Sequence, residues 1–167
     1  VSHSLQGIQG SRAEVPVPMV ARADRVWFGL DRRLCLWSRD PGRTVFTLAE
    51  PIRQLAATSP YSAMRLAIAG DSSVHIANES GDFETILDLG EATEPKIAFT
   101  KNGDLIVASG TEVLCFATDR SLGFKEIGRL PLPVRLQDPS AVMASPGLRR
   151  FAVLGSDGLS VGVYELR

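Results

Sequence analysis

The chain has 167 residues, 44% of them apolar, and a formal net charge of −1, which is the size and composition of one ordinary domain. A near-neutral balance argues against electrostatic nucleic-acid binding, and no apolar run approaches the ~20 residues that span a bilayer. A chain of this size buries roughly 70% of its unfolded surface, enough for a conventional core.

The chain opens on Val1 rather than Met, with no signal-peptide pattern, and so reads as a piece of a longer chain or a processed one. Residues 2–8, "SHSLQGI", form a short candidate strand. A first unit, roughly 13–50, holds "VPVPMVA", "RVWFGLDRRLCLW" from Arg25 and "TVFTLAE". A second, 51–91, holds "IRQLAAT", "RLAIAGDSSVHIA" from Arg65 and "FETILDL". A third, 95–131, holds "PKIAFT", "DLIVASGTEVLCF" from Asp104 and "FKEIGRL". The fourth, 138–167, holds "PSAVMAS" and "RFAVLGSDGLSVG" from Arg150, with no further run behind it.

These units are one pattern repeated. Arg25 to Leu34, Arg65 to Val74, Asp104 to Val113 and Arg150 to Leu159 are each nine residues apart, and the starts are separated by 40, 39 and 46 residues. Periods of ~40–45 residues mark propeller blades. The first run of each pair, such as Leu66-Ala67-Ile68-Ala69, is apolar throughout and suits a strand buried on both faces. "LDRR", "GDSS", "SGTE" and "GSDG" supply turn residues, and the second run alternates, as at Val74 and Ile76. Each unit is therefore expected to be a four-stranded antiparallel meander, with strands a to d, and no helical period competes with it.

"SPGLRRFAVLGSDGLSVGVYEL" and "TKNGDLIVASGTEVLCFATD" resemble the blades of WD40-like β-propellers. The matching features are the a–turn–b passage, the Asp or Gly of the b–c turn, and an aromatic near the end of strand c, supplied by Trp37, Phe116 and Tyr164 but not by Ala77. The Gly-His and Trp-Asp pairs of the strict family are absent, so the resemblance is to a degenerate form. It implies an all-β propeller of about four blades. The fourth blade lacks strand d, and two geometries satisfy the sequence. The ring closes on itself with residues 2–8 completing blade four, or the chain is part of a larger ring completed by another segment or a second copy. The second is preferred, because WD40-like rings usually exceed four blades.

Chemistry is sparse. His3 and His75 are the only histidines, and His75 reads as a partly exposed inter-blade residue rather than a base. Cys35 and Cys115 have neither metal-knuckle nor disulfide-framework spacing and read as buried thiols of a reducing, cytoplasmic compartment. Trp27 and Trp37 read as inter-blade packing, and Arg25, Arg65 and Arg150 as repeated solvated or loop-bonded turn positions. No cofactor or metal is expected.

Two surfaces stand out. The b–c and d–a loops form one end of a propeller, and there Asp31, Asp71, Glu112, Asp157, Glu50, Glu91, Glu94 and Asp138 face only Arg32, Arg33 and Arg135. The opposite end is net basic, and such a dipolar ring would orient a partner on approach. The connection "LPLPVRLQDPS", 130–140, is pre-extended by its prolines, and Leu132, Val134 and Leu136 need burial under the ring or against a partner. The expected function is a non-enzymatic protein-interaction or scaffold module, docking through Asp31, Asp71, Glu50, Glu91, Glu94, Leu132, Val134, Arg135 and Leu136. Its partner would be another protein or another part of a larger chain, a homodimer completing the ring included, and neither nucleic acid nor membrane. The alternative is a small-ligand or enzyme-type propeller with its site at the mouth of the central channel.

Overall fold

A computed structural model of the chain describes residues 17–22, 25–38, 43–59, 64–78, 83–91, 93–118, 124–145 and 150–166. The candidate closing strand, residues 2–8, lies outside them. Blade 1 is β1 (Met19–Arg22), β2 (Arg25–Leu30), β3 (Arg33–Trp37) and β4 (Arg43–Thr47). Blade 2 is β5 (Gln54–Ala57), β6 (Arg65–Ala69), β7 (Ser73–Asn78) and β8 (Phe83–Asp88). Blade 3 is β9 (Lys96–Phe99), β10 (Leu105–Ser109), β11 (Glu112–Thr118) and β12 (Phe124–Pro131). Blade 4 is β13 (Ala141–Ala144), β14 (Arg150–Leu154) and β15 (Val161–Glu165). Among the described residues the sheets are therefore three of four strands and one of three, all antiparallel meanders, joined before blade 4 by the single 3-10 turn Val134–Leu136. The all-β propeller expected from the repeat is the fold observed.

The nine-residue register becomes pairing. Leu66 faces Ala77, Leu105 faces Phe116, Phe151 faces Tyr164, and Val26 faces Trp37, so the strand-c aromatics occupy one position of the ladder. Each four-stranded blade slips by one residue between its third and fourth strands, at Leu34/Cys35, Val74/His75 and Cys115/Phe116. Such bulges increase twist, which is what a blade needs to fan outward from its neighbour.

Because strand side chains alternate, each blade has a face toward the preceding blade and a face toward the following one. Three cores fill the gaps. Trp27, Leu34, Leu55, Leu66 and Ile68 join blades 1 and 2, with the stacked rings of Phe46 and Phe83 beside them, 3.7 Å apart. Ala67, Val74, Ile76, Leu105, Val107 and Leu114 join blades 2 and 3. Ile106, Val113, Cys115, Val142, Phe151 and Val153 join blades 3 and 4. The innermost strands line up in series, β1 against β5, β5 against β9 and β9 against β13, and no comparable packing returns from β13 to β1. Of the two roles expected of Arg65, solvated or loop-bonded, the solvated one does not hold. Arg65 is buried, with its guanidinium 5.1 Å over the Phe124 ring of the next blade, where a cation is held by the π-face.

Candidate protein-interaction surfaces

At the end carrying the b–c and d–a loops, the connections are tied to the turns by main-chain bonds. Leu48, Leu89 and Leu132 donate their N–H groups to the carbonyls of Arg32, Ser72 and Thr111, at 2.7–2.8 Å. Four to six residues further along, Ile52 donates to Asp31, Thr93 and Glu94 to Asp71, and Asp138 to Gly110. Asp31 and Gly110 take the left-handed turn conformation, with φ of 53° and 51°. Asp tolerates it through its short polar side chain.

The expected acidic residues sit on this framework with different roles. Glu50 leaves the blade 1–2 connection and caps the b–c turn of blade 2. Its Oε2 accepts from the Ser72 N–H at 2.8 Å and the Ser72 hydroxyl at 2.9 Å, and its Oε1 accepts from the Ser73 hydroxyl. Burial works to raise its pKa, but those donors outweigh it and hold the carboxyl below the usual range. Gly70 leaves the space, since a β-carbon there would strike the Glu50 carboxylate. Asp71 is bonded to the Arg53 guanidinium at 2.5 Å, Glu94 lies 3.5 Å from the Lys96 ammonium, and Glu112 lies 2.9 Å from Arg129. Asp157 binds the Leu159 and Ser160 amides of its own turn, which lowers its pKa. Asp31, Glu91 and Glu94 are exposed. Three cations offset this end: Arg53 as the last residue of the blade 1–2 connection, Lys96 as the first residue of β9, and Arg129 near the end of β12.

The 130–140 connection divides. Leu132 and Leu136 are buried in the blade 3–4 core, whereas Val134, 83% exposed, and Arg135 face solvent. Leu136 fits because strand c of blade 4 carries Gly162 where the other blades carry Cys35, His75 and Leu114. A β-carbon on Gly162 would meet the Leu136 methyl and the Tyr164 ring. The surface expected of this connection thus shrinks to Val134 and Arg135.

His75 belongs to a polar cluster at the blade 1–2 gap. Its Nε2 is 2.6 Å from the Ser73 hydroxyl, and its ring stacks on Phe83 with centroids 4.8 Å apart. Burial lowers its pKa, against the pull of Glu50 and Asp88. The order of groups matters for chemistry. Ser73 gives its one proton to Glu50, so Nε2 must carry a hydrogen and donate to Ser73. A nucleophilic serine needs the reverse, with the imidazole between hydroxyl and carboxylate. The cluster serves as a latch between blades. Cys115 is likewise passive, its thiol pushed up to about 11 by burial. Among the described residues no group of three His, Cys, Asp or Glu is placed to hold a metal ion, and no helix is long and apolar enough to cross a membrane.

One surface escaped the sequence reading. The outer face of blade 4 carries Ala141, Met143, Ala152, Leu154, Val161 and Val163. Met143 is 70% exposed, Val161 56% and Val163 69%, with Leu159 of the adjoining turn at 88%. The Arg150–Glu165 ion pair, 3.7 Å, forms one rim. The alternation of "VGVYEL" holds the signal: Tyr164 is the inward residue, so Val161 and Val163 point the other way, where no fifth blade follows among the described residues.

The fold and these surfaces define the class as a β-propeller. No family model and no curated protein matches the chain. Among solved structures it is similar to a catalytically inactive virginiamycin B lyase from Staphylococcus aureus with quinupristin, at 16% identity and TM-score 0.67, over 92% of this chain and 53% of that one. It is similar also to the β-propeller domain of Cps50 (Swd1) from Myceliophteria thermophila, at 14% identity and TM-score 0.66, over 90% and 54% of the two chains. The N-terminal domain of Nup159 matches at 15% identity and TM-score 0.59, over 89% of this chain and 44% of that one. The chain thus spans about half the length of the propellers it matches.

Proposed function

We propose that this chain is a non-catalytic protein-interaction or scaffold module, built from degenerate WD40-like repeats and working in the cytoplasm as part of a larger chain or complex. The observation that carries the reading is the outer face of blade 4, where Met143, Val161 and Val163 lie open to solvent on one sheet. Contiguous exposed apolar patches mark interaction sites more often than chance exposure. Propellers also host catalysis, as the lyase among the matched structures illustrates, so the fold itself is neutral between the readings. The proton order of the Ser73–His75–Glu50 cluster weighs against nucleophilic chemistry there.

The test is a paired change of surface. The double substitution Val161→Lys with Val163→Lys should abolish association of the chain in solution and reduce binding of a hydrophobic-surface dye several-fold, with the fold intact by circular dichroism. If the unaltered chain and the double variant behave as identical monomers with equal dye binding, this face is no docking surface and the reading falls.

A further inference from the structure

We propose that Val134 and Leu159 form a second docking surface, at the loop end of the propeller, and that it takes a segment of another protein carrying an aliphatic side chain flanked by lysine or arginine. The inference shares the interaction reading above but not its surface, so each can fail alone.

The repeat shows which residues depart from its pattern. Leu48, Leu89 and Leu132 make the same main-chain bond to a b–c turn, and two residues beyond them stand Glu50, Glu91 and Val134. A position that is acidic in two connections is aliphatic in the third, and Val134 is 83% exposed. Just before the first paired residue of strand c stand Arg32, Ser72 and Thr111 in blades 1 to 3, and Leu159 in blade 4, whose turn is longer. Leu159 is 88% exposed. The exposure of these positions does not depend on a neighbouring blade. Arg32 and Thr111 are exposed in blades that have a following blade, and Glu91 is exposed in a connection between two blades. Single exposed aliphatics are ordinary. Two of them at positions that the other blades keep polar call for a ligand.

The fold holds both residues on one rigid base. Leu132 and Leu136 are buried on either side of Val134, and Leu136 donates to the Pro133 carbonyl at 2.7 Å, so the turn presents Val134 outward. That turn sits on the b–c turn of blade 4, where a β-carbon on Gly155 would strike the Arg135 carbonyl oxygen. Asp157 in the same turn accepts from the Leu159 and Ser160 amides, both at 2.8 Å, and so fixes the backbone of Leu159. A surface ordered in advance loses little entropy when a partner binds. The charges beside it choose the partner. The connection 130–140 and the turn 155–160 hold exposed Asp138 and Asp157 against exposed Arg135, and the blade 2–3 connection adds exposed Glu91 and Glu94. Arg129 is paired with Glu112 and Glu126 of its own blade. An aliphatic anchor with a cation beside it complements this surface, and an acidic segment is repelled by it.

The experiment selects random short peptides, displayed on phage, against the full chain and measures the affinity of the enriched ones by calorimetry. They should carry an aliphatic residue beside Lys or Arg. Val134→Ser and Leu159→Thr should each weaken their binding about tenfold, the loss of one aliphatic contact. Asp138→Asn and added salt should each weaken it several-fold. Leu159→Thr installs the residue that blade 3 uses, and both positions are exposed, so melting temperatures by circular dichroism should move by less than about 2 °C. Val161→Lys with Val163→Lys should leave peptide binding unchanged. Peptides that bind the double variant Val134→Ser with Leu159→Thr undiminished, or a selection that enriches none, would overturn this surface. Enriched peptides that are acidic, or indifferent to salt and to Asp138→Asn, would overturn the basic partner. Peptides lost only with the blade 4 change would overturn this surface and keep the interaction reading of that face.

Discussion

Blade 2 and blade 4 offer the same register positions to a following blade, and of the two only blade 2 meets one among the described residues. Val74 and Val161 both pair with the last residue of strand b, Ala69 in one blade and Leu154 in the other. Val74 is sealed against Leu105, Val107 and Leu114 of the next sheet, whereas Val161 meets solvent. Burial in this architecture is a property of the neighbour, not of the residue. A blade cannot bury both faces alone, which is the general condition of repeat folds.

The sharpest way to break the comparison is to put the same charge at both positions. Val74→Lys must bury an ammonium with no partner supplied, and should destabilise the chain by about 3 kcal/mol or more. For a chain of this length that is a fall of roughly 6–12 °C in melting temperature. Val161→Lys makes the identical change and should move the monomer's melting temperature by less than about 2 °C, as surface substitutions do. Scanning calorimetry on monomeric samples measures both. Equal losses would mean that the register equivalence between blades 2 and 4 is wrong.

A second contrast concerns how the loop end is held. Beside its main-chain ties the blade 1–2 connection has a carboxylate latch, Glu50 on Ser72 and Ser73, where the blade 2–3 and 3–4 connections add hydroxyl contacts, Thr93 with Ser109 and Ser140 with the Gly155 carbonyl. Glu50→Ala removes the acceptor of three hydrogen bonds and should cost about 1–3 kcal/mol. Gly70→Ala drives a methyl into the same carboxylate and should cost a similar amount. The two are coupled through one space, so Gly70→Ala should cost distinctly less in the Glu50→Ala background. Additive losses by urea melts would sink the latch as the reason for the glycine.

How much of this was legible follows from the range over which each feature acts. The blades were readable because a nine-residue register of apolar run, turn and alternating run is local chemistry, repeated four times. The loop acids were readable as residues but not as partners. Glu50 meets Ser73 across 23 positions, and only the docking of two sheets brings them together. Leu136 was readable as apolar, and its burial depended on a gap left by Gly162 in another strand. The outer face of blade 4 was hidden for the opposite reason. Alternating valines look the same whether or not a neighbour exists.

The smallest expected effect separates His75 from its register equivalent in blade 3, Leu114. One is a titratable residue beside Ser73 and Glu50, the other a fully buried aliphatic. The folded state holds the His75 pKa below its ordinary 6.5, burial being the largest cause, so the unfolded chain binds the proton more readily. Stability from this position is complete above pH 6.5 and is lost as the pH falls through the folded value. Glu50 adds the same sign lower down, its depressed pKa giving stability that disappears as acid protonates it. The melting temperature should therefore decline on acidification from neutral, first by His75 and then by the carboxylate. His75→Leu installs what blade 3 uses, leaves Ser73 bonded to Glu50, and should flatten the decline between pH 7 and 5 while keeping the part below it. Melting curves at stepped pH for the two proteins measure this directly. An unchanged profile in His75→Leu would show that the imidazole is no more than a stacked ring on Phe83, and that the blade 1–2 gap differs from the blade 2–3 gap only in shape.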